Sequence, residues 1–241
     1  MSLRDQLFSN KEASPSSFSF DKEVVSVFDD MVDRSVPMYR ALQFLIIEFA
    51  SRFLRPDSII LDLGCSTGKS LYELAKMVRG FNGKFIGIDS SQEMLDKAHV
   101  RCENYSFIHF KNQDLNQLKL DVSTSVVILN LTLQFVSPDN RQNVISQIYS
   151  SLEENGALLF VEKVIVSNSS LESVYREVFH SFKQSQGYSK HEILQKETSL
   201  EGVLIPYTEC DNRRLLENSG FKDIEVFYRW GNFVGFIAVK R

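Results

Sequence analysis

The chain has 241 residues, of which 43% are hydrophobic, and this is enough to bury the core of one α/β domain spanning 1–241. Its net charge of -4 and its lack of like-charge runs disfavour direct nucleic-acid binding. It has three well-separated cysteines, no leader-like N-terminus and no apolar run long enough for a bilayer. These features predict a soluble cytoplasmic protein that does not bind membranes.

The N-terminal segment 1–55 predicts an arm followed by two helices. Residues 1–20 contain Ser-Pro-Ser-Ser and several phenylalanines, which favours an irregular arm that packs on the domain as a lid. Asp21 is a suitable helix cap, and apolar residues recur after it at helical spacing. The same spacing over 39–54 predicts a second helix before the first strand.

After this segment, short apolar runs alternate with helical patterns, which predicts βαβ units and a parallel sheet. The five predicted strands are 59–63, 84–89, 106–110, 125–129 and 157–161. Segment 167–206 interrupts the alternation with two predicted helices, and we interpret it as an inserted cover over the substrate. The final elements are a helix and a hairpin that adds two strands, one of them antiparallel, at 212–219, 222–230 and 233–240.

A glycine-containing turn, Gly64-Cys65-Ser66-Thr67-Gly68, follows the first predicted strand and precedes a helix. Glycine permits positive φ and a close approach to a ligand, and the start of a helix presents free N–H groups. Such a turn also occurs in α/β proteins without a ligand at that position. Its combination with polar residues at neighbouring strand ends is more informative.

Polar side chains follow three further strands. Asp89 ends the second strand, where a carboxylate can accept hydrogen bonds from ribose hydroxyls or can cap the next helix. Asp114 follows the third strand and can accept from an adenine amino group or lie on the surface. Asn130 ends the fourth strand at the same edge, although it can also cap a turn. With Asp62 inside the first strand, these residues indicate a nucleoside cofactor, and the absence of G-x-G-x-x-G disfavours NAD.

Other chemistry is not indicated by the sequence. The four histidines have no metal-ligand spacing with the cysteines, and no Gly-x-Ser-x-Gly elbow is present. We therefore predict no metal site and no serine nucleophile, and we interpret Cys65 as a small packing residue.

Several stretches outside the cofactor motifs are characteristic of one family. They are Arg4 to Ser9, Phe28 to Tyr39, Leu129 to Val136, Phe182-Lys183 with Gly187-Tyr188-Ser189, and Gln195-Lys196. Through these stretches the chain resembles class I S-adenosylmethionine (SAM)-dependent methyltransferases over nearly its whole length, and more closely the bacterial carboxy-SAM synthases. The resemblance implies a Rossmann-like class I methyltransferase fold with a mostly parallel seven-stranded sheet, an antiparallel C-terminal strand, and N-terminal and inserted helices as cover.

The resemblance also implies an activity and a cofactor site. The family converts SAM and prephenate to carboxy-SAM, which a partner enzyme uses on the wobble uridine of tRNA. The implied SAM contacts are Tyr39, Gly64, Cys65, Ser66, Asp89, Ser90, Asp114, Leu115 and Asn130. Ser90 stands where the family usually has asparagine, and its hydroxyl can still form a hydrogen bond.

Glu197 is the main departure from the family pattern, because it aligns with the arginine that pairs with the added carboxylate. This exchange replaces an attraction of about 1 to 4 kcal/mol by a comparable repulsion, so we expect carboxy-SAM to bind poorly. Lys196 can substitute for the arginine, but it lacks the bidentate fork. A local shift of the alignment would instead make Glu197 a solvated helix residue.

We therefore predict a SAM-dependent methyltransferase that methylates a small-molecule acceptor, leaves S-adenosyl-L-homocysteine and works mainly by proximity. The candidate catalytic and acceptor-pocket residues are Tyr39, His180, Tyr188, Glu197 and Tyr207. The sequence does not decide whether Glu197 stabilises the sulfonium, orients an amine or acts as a base. Two alternatives stay open, carboxy-SAM synthesis itself and a SAM-sensing protein without an acceptor. The resemblance also implies a homodimer, with the helices of 171–200 contributing to its interface.

Overall fold

The computed structural model describes residues 3–10, 17–78 and 80–241, so part of the predicted arm lies outside the described residues. The α-helices of this part are α1 Lys22–Ser35, α2 Tyr39–Arg52, α3 Lys69–Met77, α4 Gln92–Cys102, α5 Pro138–Ser151, α6 Ser169–Ser185, α7 Lys190–Leu200 and α8 Glu209–Ser219. The strands are β1 Ile59–Leu63, β2 Lys84–Asp89, β3 Ile108–Asn112, β4 Thr124–Asn130, β5 Leu152–Ile165, β6 Tyr207–Thr208, β7 Asp223–Trp230 and β8 Phe233–Val239.

The strands form one sheet in the order β3-β2-β1-β4-β5-β8-β7, and β6 pairs with β5. Strands β1 to β5 pair in parallel, whereas β8 is antiparallel to both of its neighbours. This arrangement confirms the predicted α/β class with an antiparallel C-terminal strand. The strand order reverses between β1 and β4, and open α/β sheets bind ligands at the carboxyl ends of such strands.

Three strand predictions need correction. Strand β3 begins two residues after the predicted start, because the Ile108 amide donates to the Tyr105 carbonyl in a turn. Strand β5 extends beyond the predicted 157–161 on both sides, since it pairs with β4, β8 and β6. Strand β6 was not predicted, because two residues are too short to show an alternating pattern.

The sheet is covered on both faces, which explains why its inner strands are continuously apolar. On β1, Leu61 and Leu63 pack with α5 and α8, whereas the neighbouring Ile60 packs with α2 and α3 on the opposite face. Burial of these two faces holds β1 and β4 in place, and therefore fixes the loops at their carboxyl ends.

Helices α1 and α2 lie before the sheet, and α6 and α7 are inserted between β5 and β6. The Asp21 carboxylate caps α1 by accepting from the amides of Glu23 and Val24, as predicted. Helix α7 begins with a capping box between Ser189 and Glu192, which fixes its start after the turn at 186–188. Among the described residues, no helix is both long and apolar enough to cross a membrane.

Candidate active site

A cavity of about 270 Å³ opens at the carboxyl ends of β1, β2 and β4. Helices α1, α2, α6 and α7 contribute further residues to its wall. All nine residues predicted to contact SAM line it: Tyr39, Gly64, Cys65, Ser66, Asp89, Ser90, Asp114, Leu115 and Asn130. The fold thus brings together residues that lie up to 91 positions apart in the sequence.

The glycine turn adopts the backbone that its composition predicts. Gly64 has φ +74° and Gly68 has φ +72°, and Gly68 lies immediately before α3. A Cβ atom on Gly64 would lie 2.4 Å from the Thr132 side chain, so the close approach of these two loops requires glycine. The amides of Gly64 and Cys65 donate to the Ile88 carbonyl and join the turn to β2.

Two carboxylates line the cavity next to this turn. Asp89 accepts hydrogen bonds from the amides of Ser66 (2.8 Å) and Ser91 (2.9 Å), so it connects the turn to α4. Asp62 is buried inside β1, where burial and the charge of Asp89 raise its pKa to about 7. The two carboxylates make this side of the cavity suited to a ligand that donates hydrogen bonds or carries positive charge.

The cavity wall also contains unsatisfied acceptors. Asp62 Oδ2, Asn130 Oδ1 and Gln134 Oε1 are buried and have no hydrogen-bond donor among the described residues. Buried polar atoms are rarely left unpaired, so a ligand with several donors fits this wall. SAM supplies such donors through its amino group, ribose hydroxyls and adenine amino group. The residues present therefore fit SAM.

Tyr39 forms the edge of the cavity at the start of α2. Its hydroxyl accepts from Gln43 (3.1 Å), and the Lys69 ammonium lies 4.8 Å from its ring centre. Burial raises the pKa of Tyr39, so the phenol stays protonated and can donate to a ligand.

Three lysines line the side of the cavity formed by β5 and the cover helices: Lys163 on β5, Lys183 on α6 and Lys196 on α7. Burial lowers the pKa of Lys183 to about 7 and that of Lys196 to about 8, and it also lowers the pKa of Lys163. These amines are poorly solvated, and an anionic ligand would stabilise their charged forms. Sequence reasoning missed Lys163 and Lys183 as site residues, although a charged residue near the carboxyl end of an apolar strand was a usable signal for Lys163.

Glu197 lines the same cavity, but it is not an isolated negative charge. Its Oε1 atom lies 2.6 Å from His180 Nε2 and 3.7 Å from Lys183 Nζ. The predicted repulsion of an incoming carboxylate is therefore reduced by two neighbouring groups that lie on α6.

Three of the predicted acceptor-pocket residues are not among the residues that line the cavity. His180 contacts Glu197 without lining the cavity, and it borders a separate cleft between α6 and α7. The Tyr188 hydroxyl donates to Asp5 (2.5 Å), and the Tyr207 ring lies beneath the Arg141 guanidinium. These three side chains contact neighbouring elements, so of the five predicted acceptor-pocket residues only Tyr39 and Glu197 line the cavity.

Comparison with known proteins agrees with this geometry. A family model described as a methyltransferase domain matches residues 60–156. The carboxy-S-adenosyl-L-methionine synthase of Methylococcus capsulatus is 40% identical over 240 residues, which cover 98% of this chain and 99% of that protein. The synthase of Campylobacter fetus is 43% identical over 242 residues, covering 99% and 100%. The chain belongs to the carboxy-S-adenosyl-L-methionine synthase family.

Solved structures support the fold. An N-methyltransferase from Bradyrhizobium japonicum in complex with S-adenosyl-L-homocysteine superposes with a TM-score of 0.59 at 12% identity, covering 85% of this chain and 88% of that chain. A putative O-methyltransferase from Nostoc punctiforme has a TM-score of 0.62 at 14% identity, with 90% and 59% covered. These structures show the class I methyltransferase fold, and the family model and the relatives show that the chain is a SAM-dependent transferase.

Proposed function

We propose that this enzyme is a carboxy-SAM synthase, which moves the ring carboxyl of prephenate to the methyl carbon of SAM. The proton lost by the methyl group and the hydroxyl lost by prephenate leave as water, and prephenate becomes phenylpyruvate. One observation supports this most directly: the cavity that holds the nine predicted SAM contacts is also lined by Lys163, Lys183 and Lys196. Prephenate and carboxy-SAM are carboxylates, and ammonium groups in a poorly solvated site favour such ligands. The names of the relatives support the same activity.

The expected repulsion between Glu197 and a carboxylate ligand is weaker once the side chains around Glu197 are considered. Three lysines and one carboxylate line this side of the cavity, so its charge is positive when the lysines are protonated. Ordinary methyl transfer to a small acceptor, the reading preferred from the sequence, is not confirmed by the comparisons. The names of the relatives favour carboxy-SAM synthesis.

Mass spectrometry of enzyme incubated with SAM and prephenate tests this proposal. We expect a carboxylated SAM that carries the label when the ring carboxyl of prephenate is labelled with ¹³C. Incubations without prephenate and with heat-denatured enzyme are the controls. Unchanged SAM and prephenate after prolonged incubation with folded, SAM-binding enzyme would contradict the proposal. This outcome would favour methyl transfer to a small acceptor instead.

We also propose a homodimer that forms through α6. Leu171, Val174, Tyr175 and Val178 are 37–52% exposed and follow one another at helical spacing along this helix. Such an exposed apolar stripe on a helix favours association. Its location within the inserted cover agrees with the interface expected from the family.

A further inference from the structure

The two amines at one aromatic ring, Lys163 and Lys183, point to a specific anion site. Their Nζ atoms lie 4.9 Å and 4.5 Å from the centre of the Phe179 ring, one reaching it from β5 and the other from α6. Lys183 is 5% exposed, and the Lys163 side chain is partly buried. The charge of Lys163 acts on Lys183 and disfavours its ammonium form, and a bound anion would offset this repulsion.

Glu197 supplies only part of the required negative charge. Its Oε1 atom is shared between Lys183 and His180, at 3.7 Å and 2.6 Å, and no salt bridge to Lys163 or Lys196 is found among the described residues. Lys196 instead donates to the Ser35 hydroxyl at 3.2 Å. Of the three lysines, Glu197 thus forms a salt bridge with Lys183 alone among the described residues, while Glu172 and Asp5 act on Lys163 and Lys196 without forming one.

We propose that Lys163 and Lys183 form the carboxylate-binding site of this enzyme and that Glu197, held by His180, positions Lys183 in it. This inference rests on the proposed function and assigns the recognition of carboxylate to residues other than position 197. The bound carboxylate belongs either to the carboxylated SAM or to the carboxyl donor. Glu197 acts as a positioning residue, because its Oε1 atom fixes the Lys183 ammonium from the side of α7.

The pH dependence of binding follows from the groups that face Lys183. These are Glu197 and Lys196 from α7, Lys163 from β5, and His180, which reaches Glu197 from α6. Burial lowers the pKa of Lys183 to about 7, whereas Glu197 acts in the opposite direction. The ammonium form binds carboxylate, so affinity is expected to fall as the pH rises through this range. Removing Glu197 is expected to move the fall to lower pH.

Calorimetry with SAM and with synthetic carboxy-SAM tests the site. Lys183→Met and Lys163→Met are each expected to weaken carboxy-SAM binding by about tenfold to a hundredfold while leaving SAM affinity unchanged, because a charge-assisted hydrogen bond is lost. Lys183→Arg is expected to restore most of the affinity. The exposed Lys222→Met is the matched control, and unchanged SAM binding shows that each variant is folded. Carboxy-SAM affinity and KM for prephenate that are both unchanged in Lys183→Met and Lys163→Met would overturn the proposal.

The variant Glu197→Gln distinguishes a role of Glu197 in positioning Lys183 from simple repulsion of the bound carboxylate. A positioning role predicts that the pH at which carboxy-SAM affinity falls moves downward in this variant, and that His180→Gln moves it in the same direction. Tighter binding at every pH with no movement of the profile would overturn the role of Glu197.

Turnover of prephenate identifies the source of the carboxylate and keeps the two proposals distinct. A raised KM for prephenate in Lys183→Met with unchanged carboxy-SAM affinity assigns the site to the donor, whereas weakened carboxy-SAM binding assigns it to the carboxylated nucleoside. Selective binding of carboxy-SAM by wild type through Lys183, without any prephenate turnover, would contradict the proposed function but support the site. Prephenate turnover and carboxy-SAM affinity that are unchanged in both lysine variants would contradict the site but support the proposed function.

Discussion

Three residues other than glycine have strained backbone at the rim of the cavity. Met38, Ser66 and Leu131 have φ of 49°, 46° and 58°, a region that side chains with a Cβ atom seldom occupy. Met38 precedes Tyr39, and Leu131 follows Asn130, so each strained residue lies within or beside the predicted SAM contacts. Strain of this kind persists where the surrounding structure fixes the backbone, and here it sets the direction of the ligand-facing groups.

Gly64→Ala is expected to reduce both stability and SAM affinity. The new Cβ atom would meet Thr132 in addition to the unfavourable φ, so we expect a loss of about 2 to 4 kcal/mol in the free energy of unfolding. Urea denaturation and calorimetry with SAM measure the two effects.

Gly202→Ala is the matched control for this experiment. Gly202 has the same φ of +74°, but nothing lies within 4 Å of a Cβ atom there, so only about 1 kcal/mol is expected. Equal destabilisation by the two variants would show that the contact with Thr132 is unimportant.

At the scale of elements, the loop after β4 is held by a buried carboxylate on β5. Glu162 is 2% exposed and accepts from the amides of Thr132, Leu133 and Gln134 at 3.0, 2.8 and 2.9 Å. Burial raises the pKa of Glu162 to about 8, and the three amide donors oppose this shift. Arg141 holds the same loop by donating to the Val136 carbonyl. The loop carries several cavity residues, so this clamp shapes the SAM site without contacting the ligand.

Glu162→Gln is expected to loosen this loop. The amide group of glutamine offers one acceptor oxygen in place of two, so at least one buried backbone N–H loses its partner, at a cost of about 1 to 3 kcal/mol. Thermal unfolding should show the lower stability, and calorimetry should show weaker SAM binding. Glu154→Gln, at an exposed position of the same strand, is the control. Wild-type stability and affinity in Glu162→Gln would rule out the clamp.

At the scale of the molecule, the arm, α1 and the inserted cover are joined by one hydrogen-bond network. Asp5 is 1% exposed, accepts from the Tyr188 hydroxyl and donates its amide to Asp30. Arg34 donates to the carbonyls of Asp5 and Gln186. This network fixes the cover helices relative to α1, and therefore closes the cavity from the side opposite the sheet.

The proposed dimer provides a test at this scale. Val174→Asp combined with Val178→Asp places two charges on the exposed apolar stripe of α6, so we expect the dimer to dissociate, because burying unpaired carboxylates in an interface is costly. Sedimentation velocity measures the change in mass. Ser173→Asp adds one charge to the same helix outside the stripe and should leave the dimer intact. A stable dimer in the double variant would place the interface elsewhere.

The sequence predicted much of the fold and the part of the site at the strand ends, but not Lys163 and Lys183. Strands β1 and β2 were predicted with their observed bounds, since each is a short apolar run that ends at a turn or a helix cap. The glycine turn, Asp89, Asp114 and Asn130 could be predicted because they lie at strand ends, where topology alone brings them to one edge. The other predicted SAM contacts, including Tyr39 at the start of α2, follow only from the family resemblance. Strand β6 could not be found, since its two residues become a strand only through pairing with β5.

By itself, the sequence determined the α/β class, the glycine turn, the polar residues at four strand ends and the family. Local backbone preferences and the order of strands are sufficient for these features. Only the tertiary structure decided the electrostatics of the side of the cavity that β5 and the cover helices form. Lys163, Lys183 and Glu197 come from three different elements, and His180 faces Glu197 rather than the cavity. Whether a charge repels a ligand or is offset by a neighbour depends on distances between packed elements, which the order of residues does not specify.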